Sequence, residues 1–231
     1  MSKIQGIAFD LEGTVINIES AHHRGHLLAA HEAGVVLDFD SALRSLPHFI
    51  GGPREAIAQE IFELSRKNLD VCKIIEWDKF YYKKLLPEIE IVPRPGFVEI
   101  LNTLRREGVK VSIGSLTPSD QAELLLEKSG LKNIFSQNEI ILREDVREVK
   151  PAPDVFFETA LLMDVVTSHQ LVFEDSPRGA EAALRAGSQV VGMPVYNRLD
   201  VISPLIQAGA CRIFMDWREM NIMALLRNLS S

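Results

Sequence analysis

The chain has 231 residues, enough for one large domain or for a core domain with a smaller insertion. A net charge of −7 argues against a general affinity for nucleic acid or an anionic membrane, but not against a phosphorylated small molecule. Only Cys72 and Cys211 are present and no apolar run approaches the ~18 residues of a membrane span, so we expect a cytoplasmic protein. The first predicted strand follows Met1 so closely that we expect no signal peptide.

The first predicted strand ends in a loop that carries two carboxylates. Ile7, Ala8 and Phe9 form the continuous apolar run typical of a strand buried on both faces of a parallel sheet. Asp10 and Glu12 follow it, and the glycine at position 13 permits a tight turn. Ligands of open α/β sheets bind at the carboxyl ends of strands, so this loop is a candidate site. Taken alone, the segment could equally be a polar turn.

The next segment predicts helices without any strand alternation. The helices are expected over residues 18–33, 54–69 and 71–86, the second opened by a glycine-rich loop at 49–53. Pro93 and the pair Pro95-Gly96 then punctuate the chain and mark a domain boundary. We therefore predict a helical cap over residues 17–90, inserted into a core that comprises residues 1–16 and 91–231.

After the prolines the pattern alternates between helix and strand. The predicted helices cover 97–107, 120–128, 154–163, 179–186 and 217–229, and the predicted strands cover 109–113, 140–141, 170–173, 189–193 and 211–215. Repeated strand–helix units indicate a parallel sheet with helices on both faces. The predicted fold class is therefore α/β, a doubly wound parallel-sheet core with a helical cap inserted after the first strand.

The chemistry-bearing residues lie in loops that such a sheet would gather at one edge. They are Asp10, Glu12, Ser115, Lys150, Glu174 and Asp175. Each could have an ordinary role, such as a turn serine, a solvated lysine or an acidic pair at a helix N-terminus. Together at the carboxyl edge of a parallel sheet, they compose a site that can move a phosphoryl group.

The order and wording of these segments resemble the four motifs of the haloacid dehalogenase superfamily. The last motif reads Glu174-Asp175-Ser176-Pro177-Arg178-Gly179 and is followed by Ala-Ala-Leu-Arg-Ala-Gly. The likeness covers nearly the whole chain. It is greatest to the branch of β-phosphoglucomutase-like and phosphoglycolate-phosphatase-like enzymes with a helical cap. It implies a Rossmann-like core and Mg²⁺-dependent hydrolysis of a small phosphorylated metabolite.

The resemblance also implies a role for each site residue. Asp10 would attack phosphorus and form an aspartyl-phosphate, and Glu12 would act as general acid and base. The other implied groups are the Mg²⁺ ligands (the Asp10 carboxylate, the Glu12 carbonyl, Asp175 and, through water, Glu174), the cation Lys150 and the phosphate-binding Ser115 and Leu116 loop.

Glu12 departs from the family pattern, which usually has Asp at this position. Reference pKa values of about 3.9 for Asp and 4.3 for Glu show that the two differ little in acidity, so the difference concerns reach. The enolase-phosphatase branch of the superfamily also uses Asp-x-Glu-Gly-Thr and is active. We therefore expect Glu12 to be able to act as the general acid and base.

Two positions in the predicted cap resemble those of the mutase members. His22 lies where they keep a histidine and Arg54 where they keep a phosphate-gripping arginine, so both are expected to bind the non-reacting part of the substrate. The cap lysine of those mutases is missing, with Trp77 about where it should be and Lys79 two residues on. We rank phosphatase first and hexose-phosphate mutase second.

A reading from another class is a sugar-phosphate-binding sensor or partner protein that has lost turnover. The intact nucleophile, lysine and metal-binding aspartate argue against it, because a pure binder has no need of a nucleophile. We expect a small phosphorylated metabolite as the partner, no nucleic acid or membrane, and a monomer or homodimer.

Overall fold

The structure, a computed structural model, describes residues 4–50 and 52–229. Residues 1–3, to which the signal-peptide prediction refers, and Gly51 of the predicted glycine-rich loop lie outside the described residues. The chain forms two compact units, a core unit of Met1–Asn17 and Ile91–Ser231 and a helical unit of Ile18–Glu90. In the described part of the chain, no helix is both long enough and apolar enough to cross a membrane.

The helical unit packs its helices around an apolar cluster. Its helices are α1 (Glu19–Glu32), α2 (Phe39–Ser45), α3 (Arg54–Leu64) and α4 (Val71–Leu85). The cluster includes Ala29, Phe49, Ile57 and Ile74, all nearly inaccessible to solvent. Helix α1 packs closely on α4 because residue 25 is a glycine: a Cβ there would lie 3.1 Å from an oxygen of Asp78.

The core unit is built on one parallel sheet. In the described residues it has six strands, β1 (Gly6–Phe9), β2 (Lys110–Gly114), β3 (Ile140–Ile141), β4 (Gln170–Glu174), β5 (Gln189–Gly192) and β6 (Arg212–Ile213). Their order across the sheet is β3-β2-β1-β4-β5-β6, and every neighbouring pair is parallel. The central strand is therefore the one that leads to Asp10. This arrangement confirms the predicted doubly wound α/β class.

Six α-helices follow in the described part of the core unit. They are α5 (Phe97–Arg106), α6 (Ser119–Lys128), α7 (Asp154–Leu162), α8 (Pro177–Arg185), α9 (Leu199–Gln207) and α10 (Ile222–Leu229). Most begin and end within two residues of their predicted bounds. The tail predicted as one helix over 217–229 is instead a 3₁₀ turn, Trp217–Glu219, followed by α10.

The two faces of the sheet have different cores. Side chains alternate along each strand, so Phe9 and Phe173 point to one face while Ala8 and Val172 point to the other. Phe9 packs with Phe97, Phe173 and Trp217, with ring centroids 5.2–5.7 Å from its own. The other face buries small aliphatic residues against α7 and α8. Both faces are covered, which explains why the strands read as continuous apolar runs.

Candidate active site

The strand register brings predicted site residues together at the carboxyl edge of the sheet. Phe9 of β1 pairs with Ile113 of β2 on one side and Phe173 of β4 on the other. Asp10 and Glu174 each follow these paired positions, so they become neighbours at the edge. The Asp10 amide donates a hydrogen bond to the Phe173 carbonyl at 3.0 Å, which fixes the start of the loop.

Lys150 joins two of the carboxylates from a separate loop. Its buried Nζ donates hydrogen bonds to Asp10 Oδ1 at 2.6 Å and to Glu174 Oε1 at 2.7 Å. It also donates to the Gly114 carbonyl at 3.3 Å. The Lys150 carbonyl in turn accepts from Arg178 Nε at 3.1 Å, which ties this loop to α8. Lysine, nucleophile candidate and acidic motif are therefore held as one hydrogen-bonded group.

Burial and charge act in opposite directions on the pair formed by Asp10 and Lys150. Burial raises the pKa of Asp10 to about 7, with Lys150 acting to lower it and Glu174 to raise it. Burial acts to lower the pKa of Lys150, but Asp10 and Glu174 raise it above its usual value. The lysine therefore remains protonated. A further cation beside Asp10 would favour the charged form of that carboxylate.

Both carboxylate oxygens of Glu174 accept hydrogen bonds from neighbouring groups. While Oε1 accepts from Lys150, Oε2 accepts from the amide of Ser176 at 3.0 Å and from its hydroxyl at 2.9 Å. The Ser176 hydroxyl accepts from the Gly179 amide at 3.1 Å and so caps α8. A Cβ at position 179 would overlap the Glu174 carboxylate. These contacts explain why the fourth motif has glutamate, serine and glycine at positions 174, 176 and 179.

Asp175 lies against the loop that carries Asp10. Its half-buried carboxylate sits beside Gly13, where a Cβ would overlap the carboxylate oxygens. Gly13 also has φ +84°, a left-handed conformation that favours glycine. The Thr14 hydroxyl approaches Asp175 Oδ1 at 3.5 Å. The tight turn predicted from sequence therefore brings Asp175 to the site as a third carboxylate, beside Asp10 and Glu174.

Glu12 turns toward the loop that follows β2. Its Oε1 accepts a hydrogen bond from the Thr117 hydroxyl at 2.5 Å, and the Thr117 hydroxyl lies 2.8 Å from Ser115 Oγ. Ser115 is buried and its amide donates to a β3 carbonyl, while the Leu116 side chain packs on the apolar core. The structure thus brings Glu12 to the loop that carries Ser115 and Leu116. The contact is made by Thr117, which was not among the predicted site residues.

The acidic residues have the chemistry of a site for a hard divalent cation. Single oxygens of Asp10, Glu174 and Asp175 lie within 4.8 Å of one another. Carboxylate oxygens are the ligands that Mg²⁺ prefers. The residues present therefore fit such an ion. The side chain of Glu12 is outside this group.

His22 and Arg54 lie in the helical unit, where both meet one aromatic ring. His22 stacks on Tyr82 with centroids 4.3 Å apart, and the Arg54 guanidinium lies 5.8 Å from the same ring centroid. Arg54 forms an ion pair with the buried Asp78, which also bonds His26 Nδ1 at 2.8 Å. Burial acts to raise the pKa of Asp78, but His26 and Arg54 hold it below its usual value. Arg54 is therefore charge-paired within its own unit.

One residue of the site region carries no signal in the sequence. Arg94 stands between two prolines in the sequence, and its side chain is buried. Its guanidinium donates hydrogen bonds to the carbonyls of Gly13, Met193 and Met215 at 2.6 Å each and of Pro194 at 3.2 Å. It thereby ties the Asp10 loop to the ends of β5 and β6. Sequence reasoning noticed only the prolines, because backbone acceptors distant in the chain leave no pattern.

Comparisons of the sequence show which known proteins this chain is similar to. Residues 7–193 match the family described as Haloacid dehalogenase-like hydrolase. The chain is 29% identical over 187 residues to fructose-1-phosphate phosphatase YqaB of Escherichia coli, with 80% of this chain and 94% of that protein covered. It is 32% identical over 197 residues to the validoxylamine A 7′-phosphate phosphatase of Streptomyces hygroscopicus subsp. limoneus, with 84% and 88% covered.

A solved structure shares the fold over the whole length. A conserved haloacid dehalogenase-like protein of unknown function from Agrobacterium tumefaciens superposes with a TM-score of 0.80 at 22% identity. The superposition covers 99% of this chain and 100% of the other. The parallel-sheet architecture described above is therefore that of this solved protein as well.

Proposed function

The chain belongs to the haloacid dehalogenase-like hydrolase family and is a phosphatase of that family, and we propose that it hydrolyses a sugar phosphate or similar phosphomonoester through a phosphorylated Asp10. The observation that carries the proposal is the hydrogen-bonded group of Lys150, Asp10 and Glu174 at the sheet edge. The two phosphatase relatives, each named for a phosphorylated carbohydrate-like compound, support the substrate class.

Asp10 is the proposed nucleophile. One of its oxygens is held by Lys150, which orients the carboxylate and offsets charge as the anionic phosphate approaches. A new bond forms between a carboxylate oxygen and phosphorus while the bond from phosphorus to the leaving oxygen breaks. The Leu116 amide would donate a hydrogen bond to the phosphoryl oxygens, and the Ser115 hydroxyl would turn from Thr117 to donate to them when substrate binds.

Glu12 is the proposed proton carrier for both halves of the reaction. It gives a proton to the leaving oxygen in the first step. In the second step it takes a proton from the water that attacks phosphorus, which releases inorganic phosphate and restores Asp10. Its carboxylate lies at the loop that carries Ser115, which supports this assignment.

Asp10, Asp175 and the Glu12 carbonyl would hold Mg²⁺, with Glu174 next to them. When bound, Mg²⁺ would offset the charge that builds up between the phosphate and the carboxylate. The close oxygens of Asp10, Glu174 and Asp175 support this assignment. The buried position of Asp10 supports it too, because its carboxylate is costly to keep charged without a further cation.

A hexose-phosphate mutase is the second candidate, favoured by His22 and Arg54. Two features of the helical unit weigh against it. Trp77 stands about where the mutases have a lysine, and Asp78 offsets the charge of Arg54. A mutase must hold a bisphosphate, so fewer available cations count against that activity. We propose that His22 and Arg54 instead contact the non-reacting part of a monophosphate substrate.

We further propose that the protein works in the cytoplasm, as a monomer or homodimer. Its partner would be a small phosphorylated metabolite rather than a nucleic acid or a membrane. The net charge of −7 supports the exclusion of the two polyanionic partners.

A panel of sugar phosphates tests the proposal directly. Release of inorganic phosphate would be measured with Mg²⁺ and after chelation, for the wild type, for Asp10→Asn and for the control Asp40→Asn. Asp40 is exposed on α2, so its substitution makes the same chemical change away from the site. We expect Mg²⁺-dependent turnover by the wild type and the control, and background rates for Asp10→Asn. Turnover by Asp10→Asn at the wild-type rate would contradict the covalent mechanism.

A further inference from the structure

Thr117 is a buried hydroxyl for which the proposed mechanism has no chemical role. It lies two residues after Ser115 and is 6% exposed. Its amide donates to Ser115 Oγ at 3.2 Å, so its position relative to Ser115 is set by the backbone. Its hydroxyl meets the carboxylate of Glu12, which is 105 residues away in the chain.

The direction of the hydrogen bonds can be assigned from their donors and acceptors. A threonine hydroxyl has one proton, and a carboxylate oxygen without a proton can only accept; when Glu12 carries the catalytic proton, Oε2 can hold it. The Thr117 hydroxyl therefore donates to Glu12 Oε1 at 2.5 Å. It must then accept from the Ser115 hydroxyl, whose oxygen is 2.8 Å away. A directed chain runs from Ser115 through Thr117 to Glu12.

The length of Glu12 is what makes this contact. An aspartate at position 12 would be shorter by one carbon–carbon bond, about 1.5 Å. Its carboxylate would then lie roughly 4 Å from the Thr117 hydroxyl, beyond hydrogen-bond distance. We therefore propose that Thr117 is a positioning residue for Glu12, and that this contact is what adapts the site to a glutamate. The inference rests on the proposed function of Glu12 as acid and base.

Three variants of Thr117 and Glu12 test the inference. Thr117→Val keeps the shape and removes the hydroxyl, while Thr117→Ser keeps the hydroxyl. A carboxylate displaced by about 1 Å can lose on the order of 100-fold in rate. We expect Thr117→Val to lower kcat about 10- to 100-fold with little change in KM, and Thr117→Ser to restore most of the rate.

The double variant separates positioning from a general structural role. In the Glu12→Asp background the contact is already absent, so adding Thr117→Val should change kcat by less than about 2-fold. An equal loss in both backgrounds would overturn the inference, because Thr117 would then act through the loop and not through Glu12. Wild-type kcat in Thr117→Val would overturn it as well.

A second readout does not depend on turnover. In a crystal structure of Thr117→Val the Glu12 carboxylate should leave the place it has beside residue 117, while in Thr117→Ser it should stay. An unmoved carboxylate in Thr117→Val would overturn the inference even if the enzyme were slow. Failure of the proposed function would look different, since Asp10→Asn would then keep its activity whatever happens at Thr117.

Discussion

Gly13 is subject to two independent constraints at the active-site loop. Its φ of +84° is a conformation that costs other residues roughly 1–2 kcal/mol. Its Cα also faces Asp175 so closely that any Cβ would displace that carboxylate. The first constraint concerns stability, whereas the second concerns the geometry of the proposed metal ligands. A comparison with another glycine separates the two.

Gly108 is the matched control, since its φ is +72° and a Cβ there would meet nothing within 4 Å. We expect Gly108→Ala to lower the free energy of unfolding by about 1 kcal/mol with kcat/KM unchanged. Gly13→Ala should lose at least as much stability and also about 100-fold in kcat/KM, because Asp175 must move. Urea unfolding and phosphate release measure the two effects. Equal behaviour of the two variants would show that Asp175 does not need its position.

Candidate site residues could be predicted from the sequence wherever they belong to a local pattern. Asp10, Glu12 and the glycine between strand and helix stand together in the sequence, as do Glu174 and Asp175. Thr117 lies only two residues after Ser115, but its contact joins it to a residue 105 positions away. Such contacts are set by the strand register, which a single sequence does not reveal.

Helix α1 buries a histidine among aromatic rings. His23 stacks on Phe49 with centroids 4.9 Å apart and meets Phe39 edge-on at 5.3 Å. Burial lowers the pKa of His23 from 6.5 to about 4, with further lowering by His26 and His22. Glu19 lies 3.6 Å away and would favour the charged form, but burial prevails. The helical unit is therefore packed around a neutral imidazole.

The sign of the pH dependence follows from the lowered pKa. Because the unfolded chain binds the proton more tightly, the contribution of His23 is present above pH 6.5 and is lost as the pH falls toward 4. Between pH 7 and pH 5, we expect the free energy of unfolding of the wild type to fall by about 1–2 kcal/mol more than that of His23→Phe. Phenylalanine keeps an aromatic ring at this position and has no group that titrates. Urea unfolding at both pH values measures this difference. The same pH dependence in both proteins would contradict a neutral, buried His23.

The helices that were missed show where patterns are ambiguous. Helix α2 is short and begins at a reciprocal cap between Asp38 and Ser41, which sequence reasoning passed over. Helix α9 contains Pro204, a residue that usually ends a helix. The second predicted helix was too long, since α3 ends at Leu64, five residues earlier. The order of the strands and of the other eight α-helices in the described residues was nonetheless predictable from hydrophobic periodicity together with glycine and proline signals.

The whole molecule combines a family fold with a glutamate at position 12, the residue that we propose as the acid and base. The sheet order and the parallel register agree with the family fold, and the family match and the phosphatase relatives give the phosphatase class. The sequence could also predict which loops meet, because parallel strands deliver their ends to one edge. The sequence could not predict the ion pair between Arg54 and Asp78. These residues lie on two different helices, and no local sequence pattern indicates how the two helices pack.

The central claim is that Asp10 becomes phosphorylated, and trapping that adduct tests it most directly. The variant Glu12→Gln would be mixed with an aromatic phosphate, whose leaving group needs little help from an acid, and quenched in acid. Mass spectrometry of the peptides should find one phosphoryl group on Asp10, because the amide cannot activate the water that removes it. The double variant Asp10→Asn with Glu12→Gln should show none. A phosphoryl group on another residue, or rapid hydrolysis by Glu12→Gln without any adduct, would contradict the account.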